Sequence, residues 1–160
     1  MEIIYKTGDL LDAQTDVIAH QVNCQGVMGS GVARQIKEKW PEVFESYSQF
    51  WDYESEGEKC LGKCLMVDIS CGFGKWIANL FGQDFYGLDR RYTNYEALYV
   101  SLESLKEQMK QEFLVSVAFP YKMSSDRGGA DWNVILAMIE SVFKNTDIII
   151  EIWKYDTCGN

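Results

Sequence analysis

The 160-residue chain has few cationic side chains: 15 lysines and arginines stand against 24 aspartates and glutamates, for a net charge of −9. Proteins that bind nucleic acid through its backbone usually carry an excess of cations, so this balance argues against a nucleic-acid partner. A small phosphorylated ligand remains compatible with it, because backbone N–H groups at a helix start can bind phosphate without cationic side chains.

Long hydrophobic runs are also missing. The apolar runs, such as Ile148–Ile150, are far shorter than the roughly 20 residues that cross a membrane, and nothing resembles an export signal. We therefore predict a cytoplasmic, monomeric protein with no membrane partner. At this length, and with 47% hydrophobic residues, the chain is expected to form a single domain over residues 1–155, followed by a short tail, 156–160.

Metal-ligand patterns are weak. Five cysteines are an odd number without a regular framework, which favours reduced thiols. The spacing of Cys60, Cys64 and Cys71 leaves zinc as an alternative. However, the only histidine, His20, is distant in the sequence, and no second pair of closely spaced cysteines is present, so we predict neither a metal nor a cofactor.

Segments typical of strands and helices alternate along the chain. The run "DVIAHQVN" is apolar until its end, which is typical of a strand buried on both faces. The predicted strands are 3–6, 16–23, 60–70, 75–81, 113–120 and 147–153; the predicted helices are 32–40, 41–53, a long helix capped by Thr93, and one capped by Asp131 that ends at 143. This order predicts a three-layer α/β/α sandwich around a mixed, mostly parallel sheet of about six strands.

Two strands run into glycine-bearing loops that precede helices, residues 23–31 and 124–129. In such folds ligands bind beyond the carboxyl ends of the strands, and glycine lets the backbone approach them closely. Two such loops facing one cleft could hold a diphosphate, although the glycines could also simply allow tight turns. Neither loop has the Walker spacing or the GxGxxG spacing of dinucleotide-binding proteins.

Three segments carry a resemblance to a known family: "GDL" at 8–10, "VIAHQVNCQGVMGSGVA" at 17–33 and "PYKMSSDRGGADW" at 120–132. Together they resemble the macro domains, which bind ADP-ribose. With "IANLFGQDFYG" and "RYTNYEAL", the chain is similar to the small bacterial and phage members. It also resembles the branches of the yeast ADP-ribose-1″-phosphate phosphatase and of the ADP-ribosyl-glutamate hydrolases.

The resemblance implies roles for individual residues. Asp9 would accept a hydrogen bond from the adenine amino group, with the Leu10 backbone beside it, and Asn23 would bind the distal ribose. Asp9 could otherwise be a turn residue, and Phe81 a core residue. The implied ligand-binding residues are Gly8, Asp9, Leu10, Asn23, Gly26, Gly29, Ser30, Gly31, Val32, Phe81, Ser124, Ser125, Asp126, Arg127, Gly128 and Gly129.

The candidate catalytic residues are His20, Asn23 and Asp126. The phosphatase-like branch is similar in having histidine at position 20, and histidine exchanges protons near neutral pH. The alternative is a histidine whose hydrogen bonds are satisfied at a strand end. The ADP-ribosyl-glutamate hydrolases use a lysine before the long helix and an aspartate in the second loop. Here residues 82–84 contain no lysine, and either Asp126 or Gly128 occupies the second place, depending on the alignment.

The residues and the resemblance leave three candidate functions. The first is an enzyme that hydrolyses a group, a 1″-phosphate or an ester-linked adduct, from the distal ribose of ADP-ribose without a metal. The second is a module that binds ADP-ribose without turnover. The third is a partner-binding domain with an exposed aromatic patch of Trp40, Phe44, Tyr47, Phe50 and Trp51. All of these but Phe50 recur at helical spacing, which more often indicates core. We favour the first.

Overall fold

The computed structural model describes residues 1–125 and 127–155, so the tail predicted at 156–160 lies outside the described residues. The strands are β1 (Glu2–Thr7), β2 (Val17–Val22), β3 (Cys64–Asp68), β4 (Trp76–Phe81), β5 (Ser116–Pro120) and β6 (Ile149–Lys154). The helices are α1 (Gly31–Lys39), α2 (Pro41–Tyr53), α3 (Tyr95–Gln111) and α4 (Trp132–Phe143), with a 3-10 turn at Leu10–Asp12. All six predicted strands and four predicted helices are present.

The strands form one sheet in the order β1-β6-β5-β2-β4-β3. Only β3 runs antiparallel to its neighbour, β4, as expected for two strands joined by a short hairpin. The other pairs are parallel. Because β2 and β5 are parallel neighbours, their carboxyl ends lie at the same edge, and the two glycine loops that follow them are adjacent.

Helices cover both faces of the sheet, so the predicted three-layer sandwich is confirmed. On one face α1 and α2 pack on Ile18 and Val22 of β2; on the other α3 and α4 pack on Val17 and Ala19. β2 is thus buried on both sides, as its apolar run indicates. No helix among the described residues is long and apolar enough to span a membrane.

Two of the three cysteines that left zinc open, and the aromatic residues of α2, pack in or against the core, whereas Cys71 is exposed. Cys60 packs in the cluster under α1 and α2, whereas Cys64 packs in the cluster under α3 and α4, so the two thiols belong to different layers. Tyr47 is fully buried and stacks on Phe81, with ring centroids 5.7 Å apart. The aromatic positions of α2 therefore build the core rather than an exposed patch.

One predicted helix cap is confirmed and one is wrong. The carboxylate of Asp131 accepts the N–H of Asn133 at 2.9 Å and caps α4. For α3 the cap is Asn94, whose side-chain oxygen accepts the N–H of Ala97 at 3.0 Å, and not Thr93. The Thr93 hydroxyl instead makes hydrogen bonds to side chain and backbone across the sheet edge, which are described below.

Candidate functional site

A cleft of about 610 Å³ lies over the carboxyl ends of β2 and β5, a volume within the usual range for small-molecule sites. Nine residues predicted from the sequence line it: His20, Asn23, Gly29, Ser30, Gly31, Val32, Ser124, Arg127 and Gly128. Others predicted to bind the ligand lie outside this lining: Gly8, Asp9, Leu10, Gly26, Phe81, Ser125 and Gly129. Asp126 lies outside the described residues, so its predicted role has no structural description.

Asp9 has a local structural role at the end of β1. One carboxylate oxygen accepts the N–H of Leu11 at 2.9 Å and thereby caps the 3-10 turn, while Leu10 and Leu11 are buried below it. This is the turn role left open above. The contact with adenine that the resemblance implies stays a prediction.

The first glycine loop is fastened to α2. The Tyr47 hydroxyl donates to the Asn23 carbonyl oxygen at 2.8 Å and accepts the N–H of Gly26 at 3.1 Å. The Trp51 indole N–H donates to the Cys24 carbonyl oxygen at 2.9 Å. The Asn23 side chain closes the loop itself, since its oxygen accepts the N–H of Gln25 at 2.9 Å. Tertiary contacts to α2 therefore hold this loop in place.

The start of α1 faces the cleft without a side-chain cap. Ser30 is at the N-cap position but makes no side-chain hydrogen bond to the helix, and the first turn contains no acidic residue. Side chains cap α3 and α4, so α1 differs from both. The N–H groups of Gly31, Val32 and Ala33 begin this helix at the cleft wall. Uncapped N–H groups and the helix dipole favour an anion at this position.

The second glycine loop is held by a polar network that the sequence analysis missed. The Gln21 side chain donates to Gln83 Oε1 at 2.6 Å and to Thr93 Oγ1 at 3.0 Å, and accepts from the Ser124 hydroxyl at 2.7 Å. Thr93 in turn donates to the Ser124 carbonyl oxygen at 3.2 Å. All polar side-chain atoms of Gln21 are thus satisfied.

The alternation of side chains along β2 could have indicated this network from the sequence. Side chains alternate along a strand, so Gln21 must face the opposite side of the sheet from His20, at the same strand end. Both residues line the cleft, together with Gln83, Tyr86 and Leu88, which the sequence analysis did not assign to it. Two polar residues in succession at the end of a buried strand place one polar side chain on each face of the sheet.

His20 is buried at the cleft floor and is 1% exposed. Its Nε2 lies 2.7 Å from the side-chain oxygen of Asn79, whereas its Nδ1 is a buried polar atom without a partner among the described residues. Burial lowers the pKa of His20 from 6.5 to about 4, against the smaller opposing effect of the Asn79 hydrogen bond. His20 is therefore neutral at pH 7, which differs from the expected titration near neutrality.

The charged side chains that line the cleft among the described residues are both cationic, Lys122 and Arg127. Gln83 lies near the place where the resemblance to the ADP-ribosyl-glutamate hydrolases implies a lysine, and its amide is not a nucleophile. The site thus combines backbone N–H groups and two cations, suited to an anion, with one buried neutral nitrogen acceptor.

A family model for the macro domain matches residues 19–139. The match covers more than half of the chain, both glycine loops and the strands that position them. The protein therefore belongs to the macro domain family, as the sequence motifs indicate.

Relatives within the family differ in their named activities. The chain is 32% identical over 143 residues to the DNA ADP-ribosyl glycohydrolase of Mycobacterium tuberculosis, covering 89% of this chain and 39% of that protein. It is 30% identical over 124 residues to the ADP-ribose 1″-phosphate phosphatase of Scheffersomyces stipitis, covering 68% and 70%. The chain thus spans about two fifths of the length of the first relative.

The fold agrees with these matches. The structure of the macrodomain of Mycobacterium tuberculosis DarG superposes with a TM-score of 0.81 at 30% sequence identity, over 94% of this chain and 96% of that one. The superposition thus takes in nearly all of that macrodomain.

Proposed function

We propose that this protein binds ADP-ribose and hydrolyses a substituent from its distal ribose. The observation that carries the proposal is the Nδ1 of His20, which has no partner among residues 1–125 and 127–155 and lies at the floor of a cleft whose wall is the uncapped start of α1. A buried acceptor without a partner is unfavourable unless a ligand or water hydrogen-bonds to it. The relatives named as glycohydrolases and phosphatases support hydrolysis over binding alone.

The order of the strands in the sheet supports one orientation of ADP-ribose in the cleft. The diphosphate lies over β2 and β5, against the N–H groups of α1 and the guanidinium of Arg127. Asp9 follows β1, so the adenine end points toward that side of the sheet. The distal ribose then lies toward β4, near Asn23, His20 and Gln83, where the substituent leaves.

The chemistry is hydrolysis without a covalent enzyme intermediate. A water molecule displaces the substituent on the distal ribose, and the departing group leaves with its bonding electron pair and receives a proton from that water. His20 accepts a hydrogen bond from the water through Nδ1 and orients it. An imidazole with a pKa of about 4 is a weak base at pH 7. Most of the rate enhancement therefore comes from positioning the water and the substrate and from stabilising charge.

The cleft rim favours a substituent larger than phosphate. Phe85, Tyr86 and Leu88 are 53%, 48% and 77% exposed beside the cleft, and Arg90 and Arg91 follow them. Aromatic and cationic side chains suit the stacking of a nucleobase. The net charge of −9 argues against nucleic acid, but this rim gives a local reason to test an ADP-ribosylated oligonucleotide beside ADP-ribose 1″-phosphate. A monomeric, cytoplasmic protein remains part of the proposal.

The test combines calorimetric titration with ADP-ribose and assays for product from both substrates. We expect micromolar or tighter binding, and release of ADP-ribose from one of them. His20→Ala should remove turnover while binding is retained. Arg127→Gln should weaken binding about tenfold, whereas Arg34→Gln, on the exposed side of α1, is the matched control and should not.

The outcomes separate the candidate functions. Binding without turnover of either substrate would support the non-catalytic module, and an activity unchanged in His20→Ala would assign the chemistry to other residues. No binding of ADP-ribose would leave the family membership but contradict the proposed function.

A further inference from the structure

The side-chain amide of Asn79 has a defined orientation. Asn79 is fully buried on β4, directly opposite His20 of β2 in the parallel register. Its Nδ2 donates to the carbonyl oxygen of Leu65 on β3 at 3.0 Å. The reverse orientation would place the amide oxygen against that carbonyl oxygen, two acceptors without a proton between them. The Asn79 oxygen therefore faces His20.

That orientation determines which nitrogen of His20 carries the proton. The Asn79 oxygen is an acceptor only, so the His20 nitrogen 2.7 Å from it, Nε2, must be the donor. A neutral imidazole carries one N–H, and His20 is neutral at pH 7. Nδ1 is consequently an unprotonated acceptor, and it is the nitrogen without a partner among the described residues.

We propose that Asn79 is a positioning residue, which holds the Nε2 proton of His20 and so presents Nδ1 as the acceptor for a water or hydroxyl group in the cleft. This inference rests on the proposed function and deepens it. Asn79 is not part of the cleft lining, so it would act through His20 and not by touching the ligand. The chain Leu65–Asn79–His20 crosses three adjacent strands, β3, β4 and β2, which keep it rigid.

The environment of His20 makes the assignment testable. The causes of its shifted pKa are burial and the Asn79 hydrogen bond, with no charged side chain of the described residues among them. Lys122 and Arg127 are the charged side chains of the described cleft lining. A carboxylate introduced at position 79 would thus be a strong new electrostatic influence on the ring.

The first measurement is nitrogen NMR on the wild-type protein. His20 is the only histidine, so its ring signals need no assignment by mutation. At pH 7 we expect Nε2 to be protonated and Nδ1 unprotonated, with the Nδ1 signal shifting when ADP-ribose is added. A protonated Nδ1 would overturn the inference, whatever the activity assays show.

The second measurement uses Asn79→Asp, with Asn133→Asp on the exposed side of α4 as the matched control for added charge. The new carboxylate should raise the midpoint of the His20 titration by at least about one pH unit. The pH dependence of kcat should move with it, and KM should change less than about twofold. Asn79→Leu, which removes the acceptor, should lower kcat at least tenfold with KM again nearly constant.

The readouts keep the two proposals apart. If the protein neither binds nor hydrolyses ADP-ribose derivatives but Nε2 is protonated as stated, the proposed function fails and the assigned tautomer stands. If hydrolysis occurs while Asn79→Asp leaves both the His20 titration and the kcat profile unchanged, the positioning role is wrong. Should Asn79→Asp fail to fold, Asn79→Leu and the wild-type spectrum still decide the question.

Discussion

The two halves of the cleft, one on each face of the sheet, are stabilised in opposite ways. On the first side, formed by the first glycine loop, α2 and His20, aromatic side chains fasten the loop from the core, and the buried Nδ1 of His20 has no partner in the described part of the chain. On the second side, formed by the second glycine loop and the end of β4, Gln21 uses all of its polar side-chain atoms.

This difference indicates which side of the cleft has a structural role and which side contains the reacting groups. A fully satisfied polar network is rigid and offers little to a ligand, whereas an unsatisfied buried acceptor gains stability when a ligand binds it. The second side is thus expected to shape the cleft wall and position Arg127, and the first side to contain the reacting groups and the N–H groups of α1 that bind the diphosphate. Four changes test this contrast.

Among the substitutions, the largest effect is expected from Gly128→Ala on the second side. The added Cβ would collide with the hydroxyl of Thr93 and the carbonyl oxygen of Ser124, and would lie 2.9 Å from Gln21 Nε2. Displacing the network should reduce the free energy of unfolding by about 2–3 kcal/mol, and ADP-ribose binding should weaken. Urea denaturation and calorimetry measure the two effects.

Gly29→Ala on the first side is its control, because no heavy atom of the described residues, apart from the two adjacent ones, lies within 4 Å of the Cβ that would be added there. Its free energy of unfolding should stay within about 0.5 kcal/mol of wild type. Equal stability losses in both variants would contradict the contrast between the two sides.

The next effect is a loss of free energy of unfolding when the pH is lowered. Unfolded His20 takes up a proton near its ordinary pKa of 6.5, but folded His20 does so only near 4. Between these values the unfolded state binds more protons, so the free energy of unfolding falls as the pH falls, by up to about 3 kcal/mol. Urea denaturation across this window, compared with His20→Gln, isolates the effect, since the carboxylates titrate in both proteins. Parallel stability curves for the two proteins would refute it.

Gln21→Met should reduce the free energy of unfolding by about 2 kcal/mol, because the partners Gln83, Thr93 and Ser124 each lose a hydrogen bond. Gln14→Met, at an exposed position, is the control for the same exchange of side chain. A Gln21→Met protein as stable as the control would show that the network contributes nothing.

The smallest effect is expected from Tyr47→Phe on the first side, about 1 kcal/mol, because the aromatic ring keeps its core packing and only the hydroxyl contacts with Asn23 and Gly26 are lost. Tyr53→Phe, on the same helix but 85% exposed, should be neutral. The two anchors share no hydrogen-bond partner, so the losses from Tyr47→Phe and Gln21→Met should add within about 0.5 kcal/mol in the double variant.

Local features were predictable. The apolar run of β2, the Asp131 cap and the two glycine loops are signals that adjacent residues carry, and the structure contains them. The Thr93 cap was wrong because a neighbouring residue, Asn94, caps the helix better while the Thr93 hydroxyl is used across the sheet edge. The sequence around these two residues does not show which of them caps the helix.

The order of strands and helices, the macro domain family and nine of the residues that line the cleft could be predicted from the sequence, because periodicity and motifs are properties of neighbouring residues. Which polar side chains meet depends on how the strands pack together. Gln21 contacts residues 62, 72 and 103 positions away, and His20 meets Asn79 59 positions away. The tautomer and lowered pKa of His20 come from that packing, since desolvation and hydrogen-bond direction exist only once the strands are side by side.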